Sequence, residues 1–142
     1  MFLESLRRGV GFEPREVERW AMREDVTVVE GDALQIDLSE LMSTVTPVRV
    51  ISNVPYNITS PLIFSFLEMQ PVPERIVLTV QKELAERVVA GRGQKTYGAL
   101  SVGVQAVSKV SFRFSIARGV FRPRPGVDSA VLVIEPEPQR AG

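Results

Sequence analysis

The chain has 142 residues, 44% of them hydrophobic and 24% charged, which is the composition of an ordinary globular domain. It contains neither cysteine nor histidine, which excludes disulfides, the usual zinc sites and histidine-assisted nucleophiles. No apolar run approaches the ~20 residues of a membrane helix, and the start Met1-Phe2-Leu3-Glu4 lacks a signal-peptide pattern. We therefore expect a cytoplasmic protein without metal or membrane attachment, which relies on carboxylates, amides, aromatic rings, backbone groups or a cofactor.

The net charge of zero conceals an uneven distribution along the chain. Residues 1–74 carry 6 basic and 12 acidic side chains, whereas residues 75–124 carry 10 basic and 2 acidic ones. A basic segment beside an acidic one can give one face an affinity for phosphates. A set of solvated arginines explains the same counts equally well, so charge alone leaves both interpretations open.

The first half of the chain alternates between helical and strand patterns. Residues 14–24 have proline at a first helical position and apolar residues on one face, which predicts a helix. Residues 26–29 and 48–51 are β-branched runs that stop at turn-forming residues, which predicts two buried strands. Thr59-Ser60-Pro61 then predicts a helix start capped by a hydroxyl group, and this helix should end before the prolines of 71–73.

The second half continues the alternation and then changes character. The patterns predict a strand, two helices, a half-buried strand and a final strand, over residues 75–80, 82–90, 97–107, 109–116 and 127–134. The last two strands are close in sequence and are expected to run antiparallel to each other.

Strands that alternate with helices indicate βαβ crossovers and a parallel sheet. We therefore predict an α/β fold: part of a doubly wound, Rossmann-like sheet with a C-terminal antiparallel strand pair. Residues 1–135 should form this domain and residues 136–142 a frayed tail. Ligands of such sheets bind at the carboxyl ends of the strands, where Asp32, Asn53 and Gln81 fall.

The tetrad Asn53-Val54-Pro55-Tyr56 follows a predicted strand directly. The N6 amine of adenine is a poor nucleophile, because its lone pair is delocalised into the ring. The Asn53 side-chain oxygen and the Val54 carbonyl are suitable acceptors for that amine, and Pro55 removes a competing donor. Tyr56 can stack on the base, a contact worth roughly 1–3 kcal/mol. Taken alone, however, the tetrad fits an ordinary Asn-x-Pro turn better.

Five stretches of the sequence carry a wider resemblance. They are VVEGDAL (28–34), ISNVPYNITSPL (51–62), VQKELAERV (80–88), YGALSV (97–102) and FRPRPGVDSAV (121–131). In order and spacing they resemble the ribosomal RNA adenine N6,N6-dimethyltransferases, class I enzymes that use S-adenosylmethionine to methylate small-subunit rRNA. Resistance methyltransferases acting on large-subunit rRNA share part of this pattern, and the proline-rich segment favours the small-subunit branch.

The resemblance implies a role for each matching position. Asp32 would contact the adenine amine of S-adenosylmethionine beside the Ala33 backbone, and Asn53 would border the same cofactor. Asn53 and Tyr56 would hold the target adenine, and Phe121 would cover the other face of that base. Without the resemblance, Asp32 fits a turn and Phe121 a loop anchor. The substrate implied is 16S-type rRNA in the small ribosomal subunit.

Four basic residues are candidate phosphate contacts near the mouth of the pocket: Arg92, Lys95, Arg122 and Arg124. Gly126 stands where the family usually has lysine, which removes one expected basic contact. Glu83, Tyr97 and Asp128 also match family positions, where we expect structural roles.

The sequence departs from the family at its start and end. Gly9-Val10-Gly11 follows Leu6-Arg7-Arg8 rather than an apolar strand, so it does not match the family's Gly-rich cofactor loop. Only 25 residues precede Val26, too few for two strands and their helices, and no helical domain follows the last strand.

We therefore expect a chain that is truncated at both ends and inactive or weakly active on its own. An exposed sheet edge would then permit self-association. The alternative is a non-catalytic RNA-binding or ribosome-assembly remnant of the same fold.

Overall fold

The computed structural model describes residues 2–6, 18–19, 22–44, 46–54, 56–121 and 124–137. The chain divides into two compact units, residues 1–38 and residues 39–142. No helix in the described ranges has the length and apolar character needed to traverse a bilayer.

The first unit contains a parallel pair of strands, β1 (Phe2–Leu6) and β2 (Thr27–Gly31). β2 confirms the strand predicted at 26–29. β1 was not predicted; it ends at Leu6, although we expected Gly9-Val10-Gly11 to follow no apolar strand. β1 has only five residues, and two of them, Glu4 and Ser5, are polar, so its sequence shows no hydrophobic pattern typical of a strand. Its strand conformation depends on pairing with β2. Most of the helix predicted over 14–24 lies outside the described residues.

The second unit contains a four-stranded sheet with the order β3-β4-β6-β5. Its strands are β3 (Arg49–Asn53), β4 (Arg75–Gln81), β5 (Ser108–Ile116) and β6 (Ser129–Pro136). β3 and β4 are parallel, and β6 is antiparallel to both of its neighbours. The predicted parallel arrangement and terminal antiparallel pair are confirmed. β6 continues through Pro136, so the tail predicted from that residue begins too early.

Among the described residues that follow β2, four short helices and two 3-10 turns lie between strands. They are α1 (Leu38–Leu41), α2 (Thr59–Leu67), α3 (Lys82–Val89), α4 (Ala99–Gln105), η1 (Tyr56–Ile58) and η2 (Arg118–Val120). The predicted hydroxyl cap of α2 is wrong. Ile58 occupies the cap position and makes no side-chain cap hydrogen bond, because η1 leads straight into the helix with Thr59 buried as its first residue.

One face of the four-stranded sheet is buried completely at its centre. Its side chains have no exposed surface: Ile76, Leu78 and Val80 on β4, and Ala130, Leu132 and Ile134 on β6. α3 packs against β4, β5 and β6, and its inward residues Ala85 and Val88 are also fully buried. This face therefore forms the core between the sheet and the helices.

The helices also contact one another closely. The Gln105 side-chain amide of α4 donates to the Val88 and Ala90 carbonyls at the end of α3, both at 2.8 Å. A Cβ atom at Gly103 would lie 3.1 Å from Cζ of Phe64 on α2, so glycine permits the close approach of α2 and α4. The helices therefore form one layer, which packs against the buried face of the sheet.

A matched pair of isoleucines tests this burial. Ile76 is fully buried on β4, whereas Ile51 on β3 is 85% exposed. We expect Ile76→Val to lower the free energy of unfolding by about 0.5–1.5 kcal/mol. Ile51→Val should change it by less than about 0.5 kcal/mol. Urea denaturation followed by circular dichroism gives both values, and equal losses would contradict the assignment of the buried face.

Candidate functional site

Strand register brings several chain segments to one end of the four-stranded sheet. Asn53 at the end of β3 opposes Thr79 of β4. Gln81 at the end of β4 opposes Ser129, the first residue of β6, which opposes Ile116 at the end of β5. We call this the site end. The segments that follow β3 and β4, and the loop 117–128 between β5 and β6, all leave the sheet here.

Asn53 and Val54 occupy the site end of β3 in different environments. Asn53 is exposed, whereas Val54 is only 2% exposed. The Val54 N–H donates to the Thr79 carbonyl at 3.1 Å, which extends the pairing of β3 and β4 by one residue. Pro55 and the Tyr56 ring lie outside the described part of the structure. The Val54 backbone at the end of β3 is thus held by its pairing with β4.

The loop 117–128 is closed by Arg118 and Asp128. The Asp128 carboxylate accepts the Arg118 N–H at 3.0 Å and lies 3.5 Å from the Arg118 guanidinium, which also donates to the Gly126 carbonyl at 2.8 Å. The Asp128 carbonyl accepts the Lys82 N–H at 3.0 Å, which ties the loop to the start of α3. The structural role expected for Asp128 is therefore confirmed. Arg118 was not predicted from the sequence, although opposite charges at both ends of a proline-rich segment were a signal for this contact.

Phe121 lies within this closed loop at the site end. Its side chain is half-buried, and its N–H donates to the Arg118 carbonyl at 3.3 Å. The topology thus brings the loop that carries Phe121 to the same end of the sheet as Asn53.

Asp32 lies in the first unit, directly after β2, and organises a turn. Its carboxylate accepts the Leu34 N–H at 3.0 Å, and its carbonyl accepts the N–H groups of Gln35 and Ile36 at 2.9 and 3.1 Å. Ala33 is buried, with 2% of its surface exposed. These contacts match the turn that the sequence offered as the alternative to a cofactor contact. They also hold the half-buried carboxylate in a fixed orientation.

Three of the four predicted phosphate contacts lie in the described part of the structure, and they are not gathered in one place. Arg92 and Lys95 are exposed in the loop after α3. The carbonyls at the end of α3 accept hydrogen bonds from Gln105. Gln105 lies three residues before β5, and β5 begins at the end of the sheet opposite the site end. The eight residues of α3 span ~12 Å, so this loop lies away from the site end. Arg124 is exposed in the loop at the site end, and Arg122 lies outside the described residues.

A shallow recess lies beside α3, α4 and the loop between them. It is lined by Glu83, Arg87, Lys95, Thr96, Gly98, Ala99, Leu100 and Ser101. The Arg87 guanidinium pairs with the Glu83 carboxylate at 3.2 Å, one helical turn apart. Because this pair neutralises much of the local charge, the recess has less capacity for an anionic ligand than its basic residues suggest.

Comparison with known proteins identifies the class to which this fold belongs. The model of the family described as ribosomal RNA adenine dimethylase matches residues 12–141. The crystal structure of a dimethyladenosine transferase from Plasmodium falciparum aligns with a TM-score of 0.75 and 31% identity, covering 90% of this chain and 46% of that one. The 23S rRNA methyltransferase ErmE aligns with a TM-score of 0.72 and 23% identity, covering 96% and 53%, which supports the fold alone. The fold is that of the Rossmann-like rRNA methyltransferases.

Curated relatives place the chain more narrowly. The ribosomal RNA small subunit methyltransferase A of Chlorobium phaeobacteroides is 42% identical over 113 residues, which cover 80% of this chain and 42% of the relative. The probable ribosomal RNA small subunit methyltransferase A of Thermococcus onnurineus is 46% identical over 115 residues, covering 81% and 39%. The chain belongs to the ribosomal RNA adenine dimethylase family, as its motifs predicted, and spans about two fifths of the length of these relatives.

The closure of the loop 117–128 can be tested by proteolysis. Asp128→Ala removes the partner of the Arg118 guanidinium, and we expect trypsin to cleave the Arg118–Gly119 bond roughly five-fold faster. That factor corresponds to about 1 kcal/mol for a partly exposed ion pair. Asp128→Asn keeps an acceptor for the Arg118 N–H and should be intermediate. Glu86→Ala, at an exposed position of α3, serves as the control, and an unchanged rate in Asp128→Ala would contradict the proposed closure.

Proposed function

We propose that this chain forms the target-base part of an rRNA adenine-N6 dimethyltransferase, which transfers methyl groups from S-adenosylmethionine to adenine N6 of small-subunit rRNA. One observation carries the proposal. The Val54 N–H is already bonded to the Thr79 carbonyl, and Pro55 has no N–H. This stretch of backbone can therefore accept hydrogen bonds from a ligand but cannot donate them. A ligand amine with two N–H groups, such as adenine N6, suits such a segment.

The exposed Asn53 side chain completes this set of acceptors. An asparagine amide can pair with adenine through two hydrogen bonds, since it accepts from N6 and donates to a ring nitrogen. If the Asn53 oxygen and the Val54 carbonyl accept the two N6 hydrogens, a pyramidal nitrogen is favoured and its lone pair becomes more available. No general base is needed for this step, which agrees with the absence of histidine.

Aromatic rings on both sides would hold the base in this position. Tyr56 starts the η1 turn immediately after the acceptors, and Phe121 lies in the loop that leaves the same end of the sheet. A base taken out of its stack loses its neighbours, and each replacement ring is worth roughly 1–3 kcal/mol. The closure of that loop by Arg118 and Asp128 supports Phe121 in this role, because it limits the positions that the ring can take.

The residues present fit the adenine end of S-adenosylmethionine. The half-buried Asp32 carboxylate is oriented by the Leu34 N–H and suits the adenine amine, and the buried Ala33 follows it in the chain. When bound, S-adenosylmethionine supplies an electrophilic methyl group on a sulfonium. We further propose that these few contacts give the chain by itself weak affinity and low activity.

Basic side chains and an exposed strand edge are the features proposed to contact partners. Arg122 and Arg124 would meet rRNA phosphates at the site end, and Arg92 and Lys95 would meet a more distant part of the same RNA. We propose a cytoplasmic location, because the proposed substrate is part of the small ribosomal subunit. Among the described residues β3 pairs only with β4 and leaves Ile51 85% exposed, which supports self-association through this edge.

Methyl transfer to a small-subunit rRNA fragment tests this function directly. At high concentration of the chain, with tritiated S-adenosylmethionine, we expect slow formation of N6-methylated adenine. Asn53→Ala should lower the rate about 10²-fold or more, the usual effect of removing one preorganised hydrogen-bond partner. Tyr56→Ala should lower it through lost stacking.

Asn57→Ala is the matched control, because Asn57 is an exposed asparagine within the η1 turn. It should leave the rate unchanged. Equal rates in all variants would contradict the pocket. Binding of RNA without any methylation would instead support the non-catalytic remnant.

A further inference from the structure

A register shift in β5 separates two phenylalanines that a regular strand would place on one face. Phe112 opposes Leu132, and Phe114 opposes the next β6 residue, Val131, so Arg113 is the extra residue of a β-bulge. Residues two apart normally share a face, but Leu132 and Val131 are consecutive and face opposite ways. The bulge therefore turns Phe114 away from the helix-covered core. Phe112 remains half-buried, whereas Phe114 is 56% exposed.

The same shift aligns Phe114 with the proposed base pocket. A single cross-strand row runs through Asn53, Thr79, Val131 and Phe114. Residues directly opposed in a sheet point to the same face, so Asn53 and Phe114 share the face that lies away from the helices. Three strand spacings separate them, a distance of ~14 Å. An RNA strand that delivers a base to Asn53 can reach Phe114 with a neighbouring nucleotide.

The charge around Phe114 indicates the kind of partner. From Lys109 to Val127 the sequence contains five basic residues and no acidic one, and one of the five, Arg118, is paired with Asp128 just beyond that stretch. Arg113 at the bulge and Arg124 in the following loop are exposed. An exposed aromatic ring among cations is the usual arrangement for binding single-stranded nucleic acid, where the ring stacks on a base and the cations meet phosphates.

We infer that Phe114 stacks on an RNA base adjacent to the target adenine, and that Arg113 contacts the neighbouring phosphate. This inference rests on the proposed function and adds a residue that positions the RNA beside the pocket. A protein partner fits less well, because the flanking residues Arg113 and Ser115 are exposed and polar. They restrict the apolar surface around the ring, whereas a base requires only the ring itself.

Binding of a short RNA by the full chain tests the inference. The probe is a fluorescein-labelled, single-stranded RNA of seven nucleotides with adenine at its centre, followed by fluorescence anisotropy. Phe114→Ala and Phe114→Leu should weaken binding about 5- to 50-fold, and Phe114→Trp should restore it, because stacking needs an aromatic face. Arg113→Gln should reduce the slope of log affinity against log salt by about 0.7, the value for one phosphate contact on a single strand.

Val102→Ala is the matched control, since Val102 is 48% exposed on α4, away from this face. Its affinity should equal that of the unmodified chain. Circular dichroism of each variant separates lost binding from lost folding, and Phe114→Trp keeps the test informative if Phe114→Ala unfolds. Unchanged binding in Phe114→Ala would overturn the inference. Full binding by Phe114→Leu would overturn it too, because an apolar contact without an aromatic ring would then be sufficient.

Two variants of the proposed pocket, Asn53→Ala and Tyr56→Ala, distinguish the possible failures in the same assay. If they weaken binding and Phe114→Ala does not, the inference fails and the proposed function stands. If only Phe114→Ala weakens binding, the stacking surface stands and the adenine pocket is wrong. If the unmodified chain does not bind the RNA, both fail.

Discussion

The antiparallel ladder between β4 and β6 is the constraint on which the rest of the second unit depends. It consists of six residue pairs, from Ile76 with Ile134 to Gln81 with Ser129, and its side chains that face the helices have no exposed surface. A slip of one residue would turn those side chains to the other face, so burial fixes the register strongly. That register in turn brings the loop before β6 to the end of the sheet where β3 terminates.

The chemistry proposed for this end depends on backbone and amide groups rather than on titrating side chains. The β3–β4 pairing occupies the donor at Val54 and so determines what the segment can offer a ligand. The ion pair of Arg118 and Asp128 closes the loop 117–128 at the same end of the sheet. A site of this kind needs no histidine or metal to recognise an amine, which is consistent with a chain of the ribosomal RNA adenine dimethylase family that lacks histidine.

The sequence predicted every long element of the second unit, because β-branched runs and helical periodicity are local signals. It also placed Asn53 at the end of a strand, where the structure has it. Features that depend on distant partners were not predictable. β1 forms only by pairing with β2, the position of β6 between β4 and β5 is a property of the whole sheet, and the bulge at Arg113 appears only in the register. Arg92 likewise lies away from the site end because α3 runs away from it. The spacing of basic residues in the sequence does not predict that direction.

We propose that the site end of the sheet recognises adenine through Asn53 and Val54. Nuclear magnetic resonance of the ¹⁵N-labelled chain, titrated with adenosine monophosphate and separately with cytidine monophosphate, tests it most directly. We expect shifts of the Asn53 side-chain amide and of the Val54 and Phe121 backbone amides with the adenine nucleotide, and much smaller shifts with cytidine monophosphate. Equal shifts with both nucleotides, or shifts confined to the recess beside α3 and α4, would contradict it.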